Sequence, residues 1–354
     1  MEVEISRFKS SLFRNILIIL FIGIIVLGIV FRDQLGILAK QSFANYYVMQ
    51  GDTEFKKGNL QGAIDSYNKA LGIYPEYSKA EYNLGNVYSL YEDFFGAVEC
   101  YERSLNINPD FINARINLGI IFLQEMHDIN RSINEYISAV NTIPSQYNIP
   151  FLNKQNKNYI LNKAIAHYNL GLAYRMKSLL YGANSPGARE NMMNAIENYR
   201  RAIEIQPNFY DAHYNLGLAL HLLGDSSGAM QEYCRAIKII PLNFDAHYNL
   251  GVLLKKAGRY RESASELENA GLVLSAEGAG EDSQYVYQLL SDVNQRALLD
   301  KENSKRYYSE NSDAKNGKNS VKYVKGKVIL KNQSMEDLSE DLESDQVCKG
   351  ILSD

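Results

Sequence analysis

The phrase AHYNLG is written three times, at Ala166, Ala212 and Ala246. The last two copies start 34 residues apart and the first two 46 apart. A reaction centre needs its motif once. A phrase that returns at fixed spacing marks a structural unit that cannot bury its apolar face alone and therefore stacks on copies of itself. No other feature of this 354-residue chain restricts its fold as strongly.

Aligned on the Gly of NLG, taken as position 8, the chain reads as units 44–77, 78–111, 112–146, 164–209, 210–243 and 244–277. Position 8 holds Gly51, Gly85, Gly119, Gly171, Gly217 and Gly251. Position 20 holds Ala63, Ala97, Ser132, Ala195, Ala229 and Ser263, and position 24 holds Tyr67, Tyr101, Tyr136, Tyr199, Tyr233 and Leu267. Five units close on Pro75, Pro109, Pro144, Pro207 and Pro241, and Ser275 stands there in the sixth. The glycine has no Cβ, so a second helix can lie close to the first, and the small residue at position 20 allows the same from the other side. Proline, lacking an N–H, ends the second helix. The third unit has one extra residue, and the fourth has twelve between its halves, in SLLYGANSPGARENMM.

This pattern resembles the tetratricopeptide repeat family, a 34-residue helix–turn–helix with L-G-x2-Y, then A-x3-F and a closing Pro. The resemblance covers residues 44–277 and implies an all-α, right-handed superhelical solenoid. Position 4 departs from it: Tyr47, Glu81, Arg115, His167, His213 and His247 stand where the family has Trp. The resemblance also implies a concave face lined by the first helices, where members bind extended peptides or partner helices. It places positions 2, 5, 6, 9, 12 and 13 there.

Position 6 is a column of Asn83, Asn117, Asn169, Asn215 and Asn249, with Met49 in the first unit. It resembles the asparagine ladder with which some members hold a peptide backbone. Asparagine also suits local hydrogen bonds within a stack, and both readings stand on the sequence. Position 5 supplies Tyr82, Ile116, Tyr168, Tyr214 and Tyr248, rings with few rotors to freeze. Groove cations are few: Lys79, Arg175, Lys255 and Lys256. They do not reproduce the Lys, Asn and Arg clamp by which chaperone-binding members hold a C-terminal carboxylate. The expected peptide-binding set is therefore the five asparagines, Tyr82, Tyr168, Tyr214, Tyr248, Arg175 and Lys255.

Outside the array, residues 1–14 read as an N-terminal tail. NILIILFIGIIVLGIVF, residues 15–31, is uncharged for 17 residues and reads as a transmembrane anchor. A cleaved leader fits less well, for lack of a good small-residue cleavage site, and a buried core helix less still. Arg7, Lys9 and Arg14 on the N-terminal side favour a cytoplasmic N-terminus with the array across the membrane. Residues 32–43 read as a linker and 278–300 as a capping helix. Residues 301–354 read as a disordered charged tail, basic up to 331 and acidic after it.

Chemistry finds little support. A formal charge of -4 gives no basic footprint for nucleic acid. Phosphate-loop, zinc-protease and nucleophile-elbow motifs are missing. Helix packing distances of about 8–10 Å keep the histidines of successive units too far apart for one metal ion. Cys100, Cys234 and Cys348 have no metal spacing and suggest no disulfide framework, only packed thiols and a tail residue. The expectation is a non-catalytic, membrane-tethered scaffold for a protein partner, without cofactor, metal or small-molecule substrate. The alternative is an accessory subunit of a membrane or cell-envelope enzyme or assembly system, in glycan transfer, secretion or complex biogenesis.

Overall fold

A computed structural model describes residues 2–142, 157–182, 184–276, 280–310 and 346–353. They are helical throughout, without a strand among the described residues. Two compact units, Met1–Lys154 and Gln155–Asp354, make up the chain.

In the first unit, α1 runs from Glu2 to Lys56, followed by α2 (Leu60–Ile73), α3 (Ser78–Leu90), α4 (Phe94–Ile107), α5 (Ile112–Gln124) and α6 (Ile129–Asn141). In the second, α7 (Lys157–Leu179), α8 (Pro186–Ile205), α9 (Tyr210–Leu222), α10 (Ser226–Ile239), α11 (Phe244–Lys256) and α12 (Tyr260–Ala276) form three pairs. Then come α13 (Gly280–Glu310) and α14 (Gln346–Ser353). Each pair is one repeat, and the pairs stack as a tetratricopeptide-like solenoid within each unit.

The second helix of each repeat buries a stripe at helical spacing: Ala63, Ser66, Tyr67 and Ala70 in α2, and Ala97, Cys100, Tyr101 and Ser104 in α4. In the first five repeats it starts behind a side-chain cap, as when Asp93 accepts from the Gly96 N–H at 3.0 Å and Asp225 from that of Gly228 at 2.9 Å. The turn before the cap needs a left-handed residue. Gly58, Gly224 and Gly258 supply it, whereas Glu92 (φ 60°) and His127 (φ 54°) occupy it at a steric cost.

The pairing rests on the position 8 glycines. A Cβ on Gly51, Gly85, Gly119, Gly171 or Gly217 would lie 2.4–2.7 Å from the tyrosine ring at position 24 of the same repeat. Each of those rings is at most 2% exposed. An aromatic side chain buries about 150–250 Å², worth up to roughly 4 kcal/mol apiece. The glycine gives up its side chain so that the neighbouring ring can sit on bare backbone. In the sixth repeat Leu267 replaces the ring against Gly251.

Two expectations are corrected. Among the described residues no helix is long and apolar enough to cross a membrane, which overturns the single-pass anchor at 15–31 and the sidedness drawn from it. The uncharged run of 17 residues spans only ~25 Å as helix, against ~30 Å of hydrocarbon. Helix α1 then continues through exposed Arg32, Asp33 and Lys40 into the first repeat without a break. The cysteines are also not all unpaired: Cys234 of α10 is bonded to Cys348 of α14, and only Cys100 is free and buried. The partners are 114 residues apart in sequence, so no local spacing announces them. Pro144 and residues 311–345 of the expected charged tail lie outside the described residues.

Candidate functional site

The faces of interest are made by the first helix of each repeat, and their side chains are held by contacts from the next helix along. At position 5, Tyr82 packs 5.8 Å from the Tyr101 ring and 4.8 Å from Phe111. Tyr168 does the same with Tyr199 at 6.0 Å and Phe209 at 5.0 Å, and Tyr214 with Tyr233 at 6.0 Å. Tyr248 lies 5.4 Å from Phe244. All four tyrosines are half-buried.

The asparagine column is tied to these hydroxyls across repeat boundaries. Asn215 donates to Tyr168 Oη at 3.3 Å and Asn249 to Tyr214 Oη at 3.1 Å. Both also donate to the carbonyl one turn back on their own helix, of Asp211 and Asp245, at 2.9 Å. In the first unit Asn117 donates to Asn86 Oδ1 at 2.9 Å and reaches the Tyr82 and Tyr101 hydroxyls at 3.4 Å. Asn83 donates to Asp52 at 2.7 Å. Asn169 is buried. The amide nitrogens of four of the five thus fasten repeats together. Each leaves its carboxamide oxygen outside these bonds.

Position 9 decides what happens to the buried tyrosine at position 24. Asp52 accepts from Tyr67 Oη at 2.9 Å and Asn86 from Tyr101 Oη at 2.8 Å. In the third, fourth and fifth repeats position 9 is Ile120, Leu172 and Leu218. There the hydroxyls of Tyr136, Tyr199 and Tyr233 are sealed from solvent without a hydrogen-bond partner. Burial disfavours the phenolate and pushes the pKa of all three well above the ordinary phenol value. Tyr168 is pushed up to about 12, chiefly by burial and then by the Asp211 carboxylate, with Arg175 opposing.

Position 4 carries a strap that sequence reading missed. His247 Nδ1 faces Glu266 Oε2 at 2.7 Å while its Nε2 reaches the Pro241 carbonyl at 2.9 Å, and both side chains are fully buried. His213 repeats this with Glu232 at 2.6 Å and the Pro207 carbonyl at 3.0 Å. Arg115 does so with Glu135 at 3.2 Å and the Pro109 carbonyl at 3.1 Å. His167 meets Asn198 instead, at 3.0 Å, and burial lowers its basicity. One side chain therefore ties the closing proline of a repeat to both helices of the next. The signal was present: Glu232 and Glu266 each follow their histidine by 19 residues.

The two expected cations part company. Lys255 is held by Asp292 of α13 at 2.6 Å, and Asp292 also takes Arg296 at 3.2 Å. That pair belongs to the packing of α13 on the sixth repeat. Arg175, on α7, has no carboxylate partner among the described residues, and its Nε is sealed without a hydrogen bond. Beyond it the insertion in the fourth repeat lengthens α7 and α8. Their elbow leaves Leu179, Leu180 and Tyr181 exposed beside a cavity of about 460 Å³.

Comparison with known proteins agrees with this geometry. A family model described as TPR repeat matches residues 51–90, 188–224 and 220–258, so the chain carries tetratricopeptide repeats. Among solved structures, one titled as the functional characterization of Pseudomonas aeruginosa pilF aligns with a TM-score of 0.55 at 17% identity, covering 71% of this chain and 99% of that one. The structure of PilW, titled a widely conserved type IV pilus biogenesis factor, aligns with a TM-score of 0.52 at 17% identity, over 69% and 98%. At that identity the likeness is one of fold. No curated protein matches the chain.

Proposed function

We propose that these tetratricopeptide repeats hold a protein partner, as an extended peptide or a helix, on the faces made by their first helices, and that the protein is a scaffold without catalysis of its own. One observation carries this. The tyrosines and asparagines of positions 5 and 6 are fixed by bonds from one repeat to the next, as in Asn215 to Tyr168 and Asn249 to Tyr214. A face whose rings and amides are already immobile loses little side-chain freedom on binding. Half-buried Leu172, Leu218 and Val252, at position 9 of the same helices, supply apolar area. The carboxamide oxygens accept from backbone N–H groups, which every peptide has, so such contacts tolerate many sequences.

Photocrosslinking in cells tests the reading. A benzophenone side chain placed at Leu218 or Val252 should capture a discrete protein. The same group at exposed Arg200, on the second helix of the fourth repeat, should not. Equal capture from all three positions, or none from Leu218 and Val252, would sink the proposal.

A further inference from the structure

We propose that the C-terminal helix α14 is a reducible clasp: the Cys234–Cys348 bond, rather than packing, holds it on the outward side of α10, and a protein dithiol that breaks the bond releases it. The inference stands apart from the groove reading above, because α10 is a second helix and the proposed partner face is made by first helices.

Burial shows where α14 sits. In the repeat alignment Gln231 and Cys234 hold positions 22 and 25. Position 22 is exposed in every other repeat, as Asp65, Glu99, Asn134, Glu197 and Ser265. Position 25 is exposed as Asn68, Glu102, Arg200 and Glu268 and half-buried as Ile137. Both positions lie on the side of the second helix that faces away from the stack. In the fifth repeat alone, Gln231 is half-buried and Cys234 is 0% exposed. The cover is α14, whose Cys348 and Ile351 join the apolar cluster of α10, with Val347 packed against it.

The same helix is poorly equipped to stay there unaided. It has eight residues, and isolated helices shorter than about 12–15 residues are marginal in water. Val347, Cys348 and Ile351 turn inward, while Lys349, Gly350, Leu352 and Ser353 are exposed. Residues 311–345 separate it from α13, so chain connection alone gives a modest local concentration. Three inward side chains would have to offset the entropy of ordering the whole segment, and the bond removes that requirement. Exchange is open from one side. Cys348 is 7% exposed, beside exposed Lys349 and Gly350, whereas Cys234 is 0% exposed. A thiolate of the dithiol attacks Cys348 Sγ, the protein bond breaks, and the electron pair leaves on Cys234 Sγ, which takes up a proton. The second thiolate of the dithiol then resolves the mixed disulfide. Cys348 leaves as a thiol, and the dithiol, having given two electrons and two protons, ends as its own disulfide.

The test uses the full chain, first oxidised with glutathione disulfide and then reduced with dithiothreitol, with hydrogen exchange read by mass spectrometry in both states. Oxidised, the amides of α14 should be protected. Reduced, they should exchange as those of an unstructured peptide do, while α7 to α12 keep their protection. A thiol reagent should then label Cys234 and Cys348 in the folded chain and leave buried Cys100 untouched. Cys348→Ser should match the reduced chain with no reductant present, which separates release from side effects of the reagent. Protection of α14 that survives both reduction and Cys348→Ser overturns the clasp, because packing then suffices. Protection lost across α9 to α12 as well overturns it too, since the bond is then a brace of the repeats. So does an oxidised chain that forms disulfide-linked dimers, or no bond, in place of the intrachain one.

Discussion

Gly217→Ala puts the stacking argument to a quantitative test. The added Cβ would lie 2.7 Å from Tyr233 Cε1, 2.8 Å from Cδ1 and 3.2 Å from Cζ. Carbon atoms in contact prefer about 3.5–4.0 Å, so the ring must retreat by about 1 Å. Tyr233 is 0% exposed, wedged among Leu216, Ala236 and Leu250, and has no slack direction. Overpacking of this kind costs about 1–3 kcal/mol, and three ring atoms struck together argue for the upper end. Alanine returns about 1 kcal/mol through helix propensity, for a net loss of about 2 kcal/mol. Gly72→Ala isolates that return. Gly72 lies in the last turn of α2 with nothing within 4 Å of its would-be Cβ, so the exchange should stabilise by at most about 1 kcal/mol. The gap between the variants, about 3 kcal/mol, is the packing contribution. Urea unfolding followed by circular dichroism at 222 nm reads both, which suits a chain without tryptophan. In a Tyr233→Ala background the Gly217→Ala penalty should vanish. If Gly217→Ala proves as benign as Gly72→Ala, or the penalty survives without the ring, the reasoning is wrong.

Three further outcomes follow from particular residues. Glu92→Gly relieves a left-handed backbone at φ 60° and should stabilise the protein by up to about 1 kcal/mol in the same assay. The Asp128 carboxyl is held below the usual range, first by the Arg131 backbone N–H and then by its guanidinium. A carboxyl depressed on folding stabilises above about pH 4 and loses that effect as pH falls through its folded value. Asp128→Ala should therefore flatten the acid limb of the stability curve, and an unchanged slope below pH 4 would count against the cap. Burial pushes the Cys100 thiol up to about 12, and Cys234 and Cys348 are bonded to each other. A thiol reagent at pH 8 should find no reactive group in the native oxidised chain, one after unfolding and three after unfolding with reductant. Any other sequence of counts breaks the assignment.

The repeat period alone carried most of the fold. A 34-residue spacing of Gly, Ala, Tyr and Pro leaves few ways to bury the apolar stripes of so many short helices, so paired and stacked helices were legible without coordinates. Gly217 against Tyr233 shows the limit of that reading. The sequence called for a close approach, but the ring that fills it comes from a different helix. Long-range partners follow the same rule. The bond from Cys234 to Cys348, the strap from His247 to Glu266 and Pro241, and the pairing of Lys255 with Asp292 depend on which surfaces packing brings face to face. The asparagine column is the sharpest case. One amide at each position 6 can serve a ligand or the neighbouring repeat, and the sequence leaves both options open. Only the placement of Tyr168 and Tyr214 within reach of the next asparagine settles where the N–H groups go. It is also only the stack that leaves Arg175 without a carboxylate among the described residues, because which charges packing brings together is a property of three-dimensional surroundings and has no letter in the chain.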